Sequence, residues 1–224
     1  MSRAQGVLWL EWTTIFVLWP FAAFLEVLDL RVWAFYAPPV VYAIAVDAVA
    51  TRRSRRARER TDAELGADPT AALRPAGDGR VELVRAFATA ALLACAVFVL
   101  AYAWDESRFL ELPRTNPGRW FVILLAYPWI SAGPQEFVYR HFYFRRYRRL
   151  FPSDQLFLAV NVALFAWLHL MYDHWLTIAL TTIGGAVLTL EYERSKRLWV
   201  VWIVHAVLGL SVFTAGLGRY FYER

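Results

Sequence analysis

Cysteine is almost absent from this chain. Of 224 residues only Cys95 is one, and it sits inside an apolar stretch. A single thiol excludes an intrachain disulfide and a cysteine-built metal cluster. The residue reads as a small core or lipid-facing side chain. Internal repeats are lacking as well. No small-residue cleavage site follows the first apolar stretch, which carries Glu11 and is trailed by Glu26 and Asp29, so a removable signal peptide is not expected. The formal net charge is +5, but the excess is clustered rather than spread. Clustering of this kind speaks for membrane topology and against a nucleic-acid partner.

What the chain has in quantity is apolar sequence. It is 59% hydrophobic with a mean hydropathy of +0.37, well above the roughly half-apolar composition of soluble domains. Seven apolar segments, 7–25, 32–50, 84–104, 120–144, 155–171, 175–190 and 198–217, each approach the roughly 20 residues that span a bilayer. Many of the 11 Trp lie near segment ends, where amphipathic rings prefer the headgroup level. Basic residues follow every second segment: Arg52, Arg53, Arg55, Arg56, Arg58 and Arg60, then Arg145, Arg146, Arg148 and Arg149, then Arg194, Lys196 and Arg197. The positive-inside rule places these loops and the N-terminus in the cytoplasm.

The expected architecture is therefore all-α. It is a polytopic transmembrane bundle of about seven helices, with a short hairpin between the fifth and sixth around Asp173. Residues 1–50 form two N-terminal helices and 51–80 a flexible Arg-rich cytoplasmic linker. Residues 81–119 hold the third helix and an outer loop, and 120–224 form the core. The Arg run reads first as a topology signal and second as a contact with anionic membrane lipid. The compact build points to an integral protein of a bacterial inner membrane.

Four ionisable residues lie within these apolar segments: Glu136, Arg140, His169 and His205. A charge at mid-bilayer costs a few kcal/mol on insertion scales, so such residues usually mark function. Glu136 and Arg140 are four apart and share a helix face. The plain reading is an ion pair that holds the fourth helix in place. A histidine in a span can likewise be a packing residue, but two beside a carboxylate point to a site that activates water. Asn161 faces away from His169 and reads as glue between helices. His141 and His174 read as interfacial, and nothing in the sequence ties Glu11 or Asp47 to the site.

The contexts Gln135-Glu136-Phe137-Val138-Tyr139-Arg140, Phe165-Ala166-Trp167-Leu168-His169 and His205-Ala206-Val207-Leu208-Gly209, in that order on successive segments, resemble the CPBP family. That family includes type II CAAX prenyl endopeptidases, bacteriocin-processing and immunity proteins, and abortive-infection membrane proteins. Its pattern is Glu-Glu-x-x-x-Arg, then Phe-x-x-x-His, then His-x-x-x-Asn/Asp. The resemblance covers roughly residues 120–217. It implies an intramembrane endopeptidase that acts on a lipid-anchored, prenylated or membrane-spanning protein and uses no cofactor. By that resemblance a leading Glu and His169 activate water, His205 and a following Asn stabilise the oxyanion, and Arg140 supports the carboxylates.

Two positions depart from the pattern. Gln135 stands in place of the leading Glu, and Gly209 in place of Asn or Asp. Loss of a general base removes ~10²–10⁴-fold in rate, and loss of an oxyanion donor ~10²–10³-fold. Pro128 and Pro134 favour a local bulge that would turn Glu136 toward His169 as the base, with Gln135 as a donor. A metal-dependent variant would use Glu136, His169 and His205 as ligands. The competing class is a catalytically degraded relative that acts as a binding, immunity or assembly factor. A proton-relay transporter is a third class, disfavoured by the lack of repeats. Simple segment boundaries put His169 near the outer end of its helix and His205 near the cytoplasmic end of its own. The two meet only if the fifth–sixth hairpin stops below the outer surface.

Overall fold

The computed structural model describes residues 3–24, 32–65 and 78–221, and the regular structure among them is helical throughout. The first long course joins α1 (Arg3–Thr13) to α2 (Trp19–Phe24) through a π-helical turn at Thr14–Leu18. Next come α3 (Val32–Leu65) and α4 (Gly79–Trp104), then the short α5 (Glu111–Thr115). The fourth long course runs as α6 (Pro117–Tyr127), α7 (Gly133–Glu136) and α8 (Tyr143–Tyr147), separated by π-helical turns at Pro128–Ala132 and Phe137–Phe142. The chain ends with α9 (Asp154–Leu168), α10 (Trp175–Ser195), α11 (Leu198–Ala215) and a 3₁₀ turn at Gly218–Phe221.

Among the described residues, 4 helical stretches are long and apolar enough to cross a membrane: Gly79–Trp104, Asp154–Tyr172, Trp175–Ser195 and Leu198–Ala215. The protein is a membrane helical bundle. The other three long courses are interrupted by π turns or by polar sequence. The turn expected around Asp29 lies outside the described residues.

One expectation is corrected. The linker predicted from residue 51 onward is helical as far as Leu65, as the continuation of α3. Ala, Arg and Glu are strong helix formers, and a regular helix keeps Arg52, Arg53 and Arg56 in the open. Residues 66–77 of that segment lie outside the described residues.

Capping residues set the helix starts near the site. Asp78 accepts the Arg80 N–H at 2.9 Å, and Ser153 accepts the Leu156 N–H at 3.2 Å. Each satisfies one of the orphan donors of a first turn. Between α9 and α10 the chain reverses within a single 3₁₀ turn, Leu170–Tyr172, and Asp173 takes the left-handed conformation (φ 48°) that closes it. His174 caps α10 by accepting the Leu176 N–H.

The core lies around the fourth course. Phe16 of the first π turn is fully buried and meets Tyr139, Tyr143 and Tyr147 edge-on at 5.3–5.7 Å, geometry that suits the ring quadrupoles. Glu11 of α1 accepts from Arg146 and Tyr147, tying the first course to the fourth. Asn161 is buried and bridges three courses: its Nδ2 donates to the Tyr139 carbonyl at 2.7 Å, and its Oδ1 accepts from Thr189 at 2.8 Å. Small residues let α10 approach its neighbours. A Cβ on Gly185 would stand 2.9 Å from the Phe165 ring, and one on Gly184 3.0 Å from Leu208.

Candidate active site

The polar centre is built on the fourth course, where two prolines disturb the backbone. Pro134 has no N–H to continue an α-helical ladder, and the strain is absorbed in π turns, which often mark functional sites. Gly133 donates its N–H to the Pro128 carbonyl, and Trp202 of α11 donates to the same carbonyl at 2.7 Å. The bulge expected from the prolines is therefore present on both sides of α7. Its effect on Glu136 differs from the expected one.

Glu136 is fully buried and faces α11 and Arg140. Its Oε1 is 2.7 Å from His205 Nδ1, and its Oε2 is 3.4 Å from Arg140 Nε. Arg140 is also fully buried. Its Nη2 donates to the Gly185 carbonyl at 3.2 Å, and its guanidinium lies 4.3 Å over the Phe165 ring. Carboxylate, guanidinium, carbonyl and ring thus knit the fourth course to α9, α10 and α11.

His205 has its other nitrogen, Nε2, 3.1 Å from the Tyr127 hydroxyl. A carboxylate only accepts, so Nδ1 carries the proton and Nε2 accepts from Tyr127; the tautomer is assigned from this network. His169, the residue just after α9, places Nδ1 2.8 Å from the Phe165 carbonyl. A carbonyl also only accepts, so the His169 Nε2 lone pair is left for other partners.

A cavity of about 430 Å³ opens beside these groups. Gln135, Ser131, Tyr127, His169 and His205 line its polar end. Leu93, Leu100, Leu180, Leu188 and Val212 are among the apolar residues of its body. Gln135 is buried; its Nε2 donates to Ser131 Oγ at 2.9 Å while its Oε1 has no partner. Among the described residues no Asp or Glu side chain lines the cavity. The residues predicted for the site therefore separate into two layers. Gln135, His169 and His205 face the cavity, and Glu136 and Arg140 stand behind His205.

The apparent mismatch in depth between the histidines has a simple resolution. The regular part of α9 has 15 residues and rises about 22 Å at 1.5 Å per residue, less than the roughly 30 Å apolar core of a bilayer. His169 follows it directly. Both imidazoles pack on the Phe165 ring, at 4.9 and 5.6 Å. The C-terminal 3₁₀ turn closes over the hairpin: Phe221 meets Tyr172, and Thr177 donates to the Tyr220 carbonyl at 2.6 Å.

The conditional metal set is corrected. Among the described residues no three His, Cys, Asp or Glu side chains are grouped as metal ligands, and Glu136 Oε1 is committed to His205.

Tyr127 was missed in the sequence. Its signal was present: Tyr127, Ser131 and Gln135 recur every four residues and form one polar stripe on an otherwise apolar helix.

Residues 117–211 match the family model described as type II CAAX prenyl endopeptidase Rce1-like. Over this stretch the chain is similar to the Rce1-like family. The stretch contains every group of the polar centre. At the level of the family, the Rce1-like assignment is that of a CAAX-type intramembrane protease. No curated protein and no solved structure matches the chain.

Proposed function

We propose that this Rce1-like protein hydrolyses a peptide bond of a lipid-anchored or membrane-spanning substrate, with a histidine as the base that activates water. The observation that carries the proposal is the commitment of His169 Nδ1 to the Phe165 carbonyl at 2.8 Å, on a residue that lines the cavity. The free Nε2 takes a proton from a water molecule as its oxygen bonds to the scissile carbonyl carbon. The same proton then passes to the leaving nitrogen as the C–N bond breaks, so one water is consumed per bond. Gln135 cannot titrate, but its unpartnered Oε1 accepts the second hydrogen of that water and fixes its direction of attack. Glu136 acts from behind as the carboxylate that orients His205.

The apolar body of the cavity suits a prenyl or acyl chain. Its mouth includes Ala96 and Ile183, both exposed on apolar helices, so a lipidated substrate enters from the bilayer. Purified protein in proteoliposomes, given a fluorogenic peptide with a prenylated CAAX cysteine, tests the proposal. The wild type is expected to cleave it, and His169→Ala to lose at least ~10²-fold in kcat. Retained cleavage by that variant sinks the assignment of the base.

A second reading is a non-catalytic relative that binds a membrane peptide, favoured by the amide of Gln135 at the polar end of a cavity without carboxylates. The variant Gln135→Glu decides between them. A silent wild type that gains turnover from this change is a degraded protease. An active wild type that the change leaves equal or weaker is a histidine-based one.

A further inference from the structure

Gly209 and Tyr127 form a matched pair. A Cβ on Gly209 would lie 2.1 Å from the Tyr127 hydroxyl oxygen and 2.3 Å from its Cζ, closer than atoms can pack. The phenol therefore fills the volume that any side chain at 209 would occupy. Its ring is held edge-on by His205 and by Phe213, at 6.1 and 5.5 Å. Tyr127 lines the cavity together with His169 and Gln135.

The hydroxyl is also one link in a directed chain of donors. Gln135 Nε2 donates to Ser131 Oγ at 2.9 Å, one helical turn from Tyr127. Tyr127 donates to His205 Nε2 at 3.1 Å, and His205 Nδ1 donates to Glu136 Oε1 at 2.7 Å. Every member of such a chain polarises the next. A phenolic O–H on a residue that lines the cavity suits an oxygen on which negative charge develops. Its hydrogen turns from His205 to that oxygen by rotation about one bond.

We infer that Tyr127 is a catalytic residue of this chain: its hydroxyl donates to the carbonyl oxygen of the scissile bond as that oxygen becomes an oxyanion. The assignment rests on the peptidase reading above. No bond to Tyr127 forms or breaks, and its proton stays on the phenol.

The test uses the full-length protein in proteoliposomes with the same prenylated CAAX peptide and the variant Tyr127→Phe, which keeps the ring against Gly209 and removes only the hydroxyl. The expected result is a kcat lower by about 10²–10³-fold with KM within about twofold. Two unreactive ligands supply the second readout. A peptide aldehyde, whose hydrate resembles the tetrahedral intermediate, is expected to lose affinity in the variant by a comparable factor, while a reduced-amide peptide binds unchanged. Equal weakening of both ligands overturns the assignment in favour of a structural role. Wild-type turnover with an unaffected Tyr127→Phe overturns the assignment alone. A wild type that cleaves nothing overturns the peptidase reading and the assignment with it.

Discussion

Glu136 shows how one buried carboxylate can be structural and chemical at once. Both of its oxygens face partners on a fully buried surface, His205 on one side and Arg140 on the other. Removing one member of a buried ion pair leaves the other charge uncompensated and costs about 3–5 kcal/mol. Glu136→Gln is therefore expected to lower the melting temperature clearly and to reduce turnover, because an amide, which can turn either its oxygen or its NH2 to His205, no longer fixes the tautomer of that ring. His169→Ala is expected to reduce turnover with little thermal loss, since its ring has one backbone partner and faces the cavity. Thermal melts beside turnover assays on both variants separate a strut from a base; a Glu136→Gln protein as stable as wild type would falsify the structural half of this role. The sequence places Glu136 and Arg140 on one helix face and marks both histidines by their cost in lipid. It cannot say which oxygen faces which neighbour, because a rotation of one residue, about 100° on a helix, exchanges the roles of Gln135 and Glu136.

At the scale of the element, the fourth course decides that rotation. Pro128 and Pro134 are legible as irregularities, and π turns do flank α7. The direction of the resulting twist depends on Trp202 of α11, which donates to the Pro128 carbonyl, and on the Glu136–His205 bond. Both are long-range contacts, invisible to local pattern. Restoring an N–H at position 134 offers this course a regular helix. Pro134→Ala is expected to hold or raise thermal stability while cutting turnover about tenfold or more, because Gln135 and Glu136 leave their present faces. Loss of stability together with activity would show that the π turns serve packing alone. The pair Gly184–Gly185 gives a matching expectation for α10. Gly185→Val drives a side chain into the Phe165 ring, and overpacking of this kind costs about 1–3 kcal/mol. It also disturbs the carbonyl that holds Arg140, so a lower melting temperature is expected along with reduced turnover. The second-helix linker illustrates the opposite limit of legibility. Residues 51–65 lack apolar periodicity, yet helix-forming composition continues α3 through them.

For the whole molecule, the arrangement puts a small polar centre against an apolar cavity, and the mouth proposed for it lies between the exposed residues Ala96 of α4 and Ile183 of α10. Composition and the spacing of apolar segments are enough to read a membrane bundle. The cavity is not readable, since Leu93, Ala96, Leu100, Leu180 and Ile183 look like any other lipid-facing residues until the two helices are set side by side. The mouth makes a distinct claim about access. Ala96 is a small exposed residue at that mouth, far in sequence from every polar group of the centre. Ala96→Trp narrows the entrance and leaves Gln135, His169, His205 and Tyr127 in place. For the prenylated peptide this variant is expected to raise KM by about tenfold with kcat near the wild-type value, since an interaction needed equally by substrate and transition state changes KM alone. A variant that loses kcat at unchanged KM would place the entry path elsewhere, whereas a rise in KM that grows with the length of the lipid chain would mark the α4–α10 mouth as the route by which the chain reaches the site.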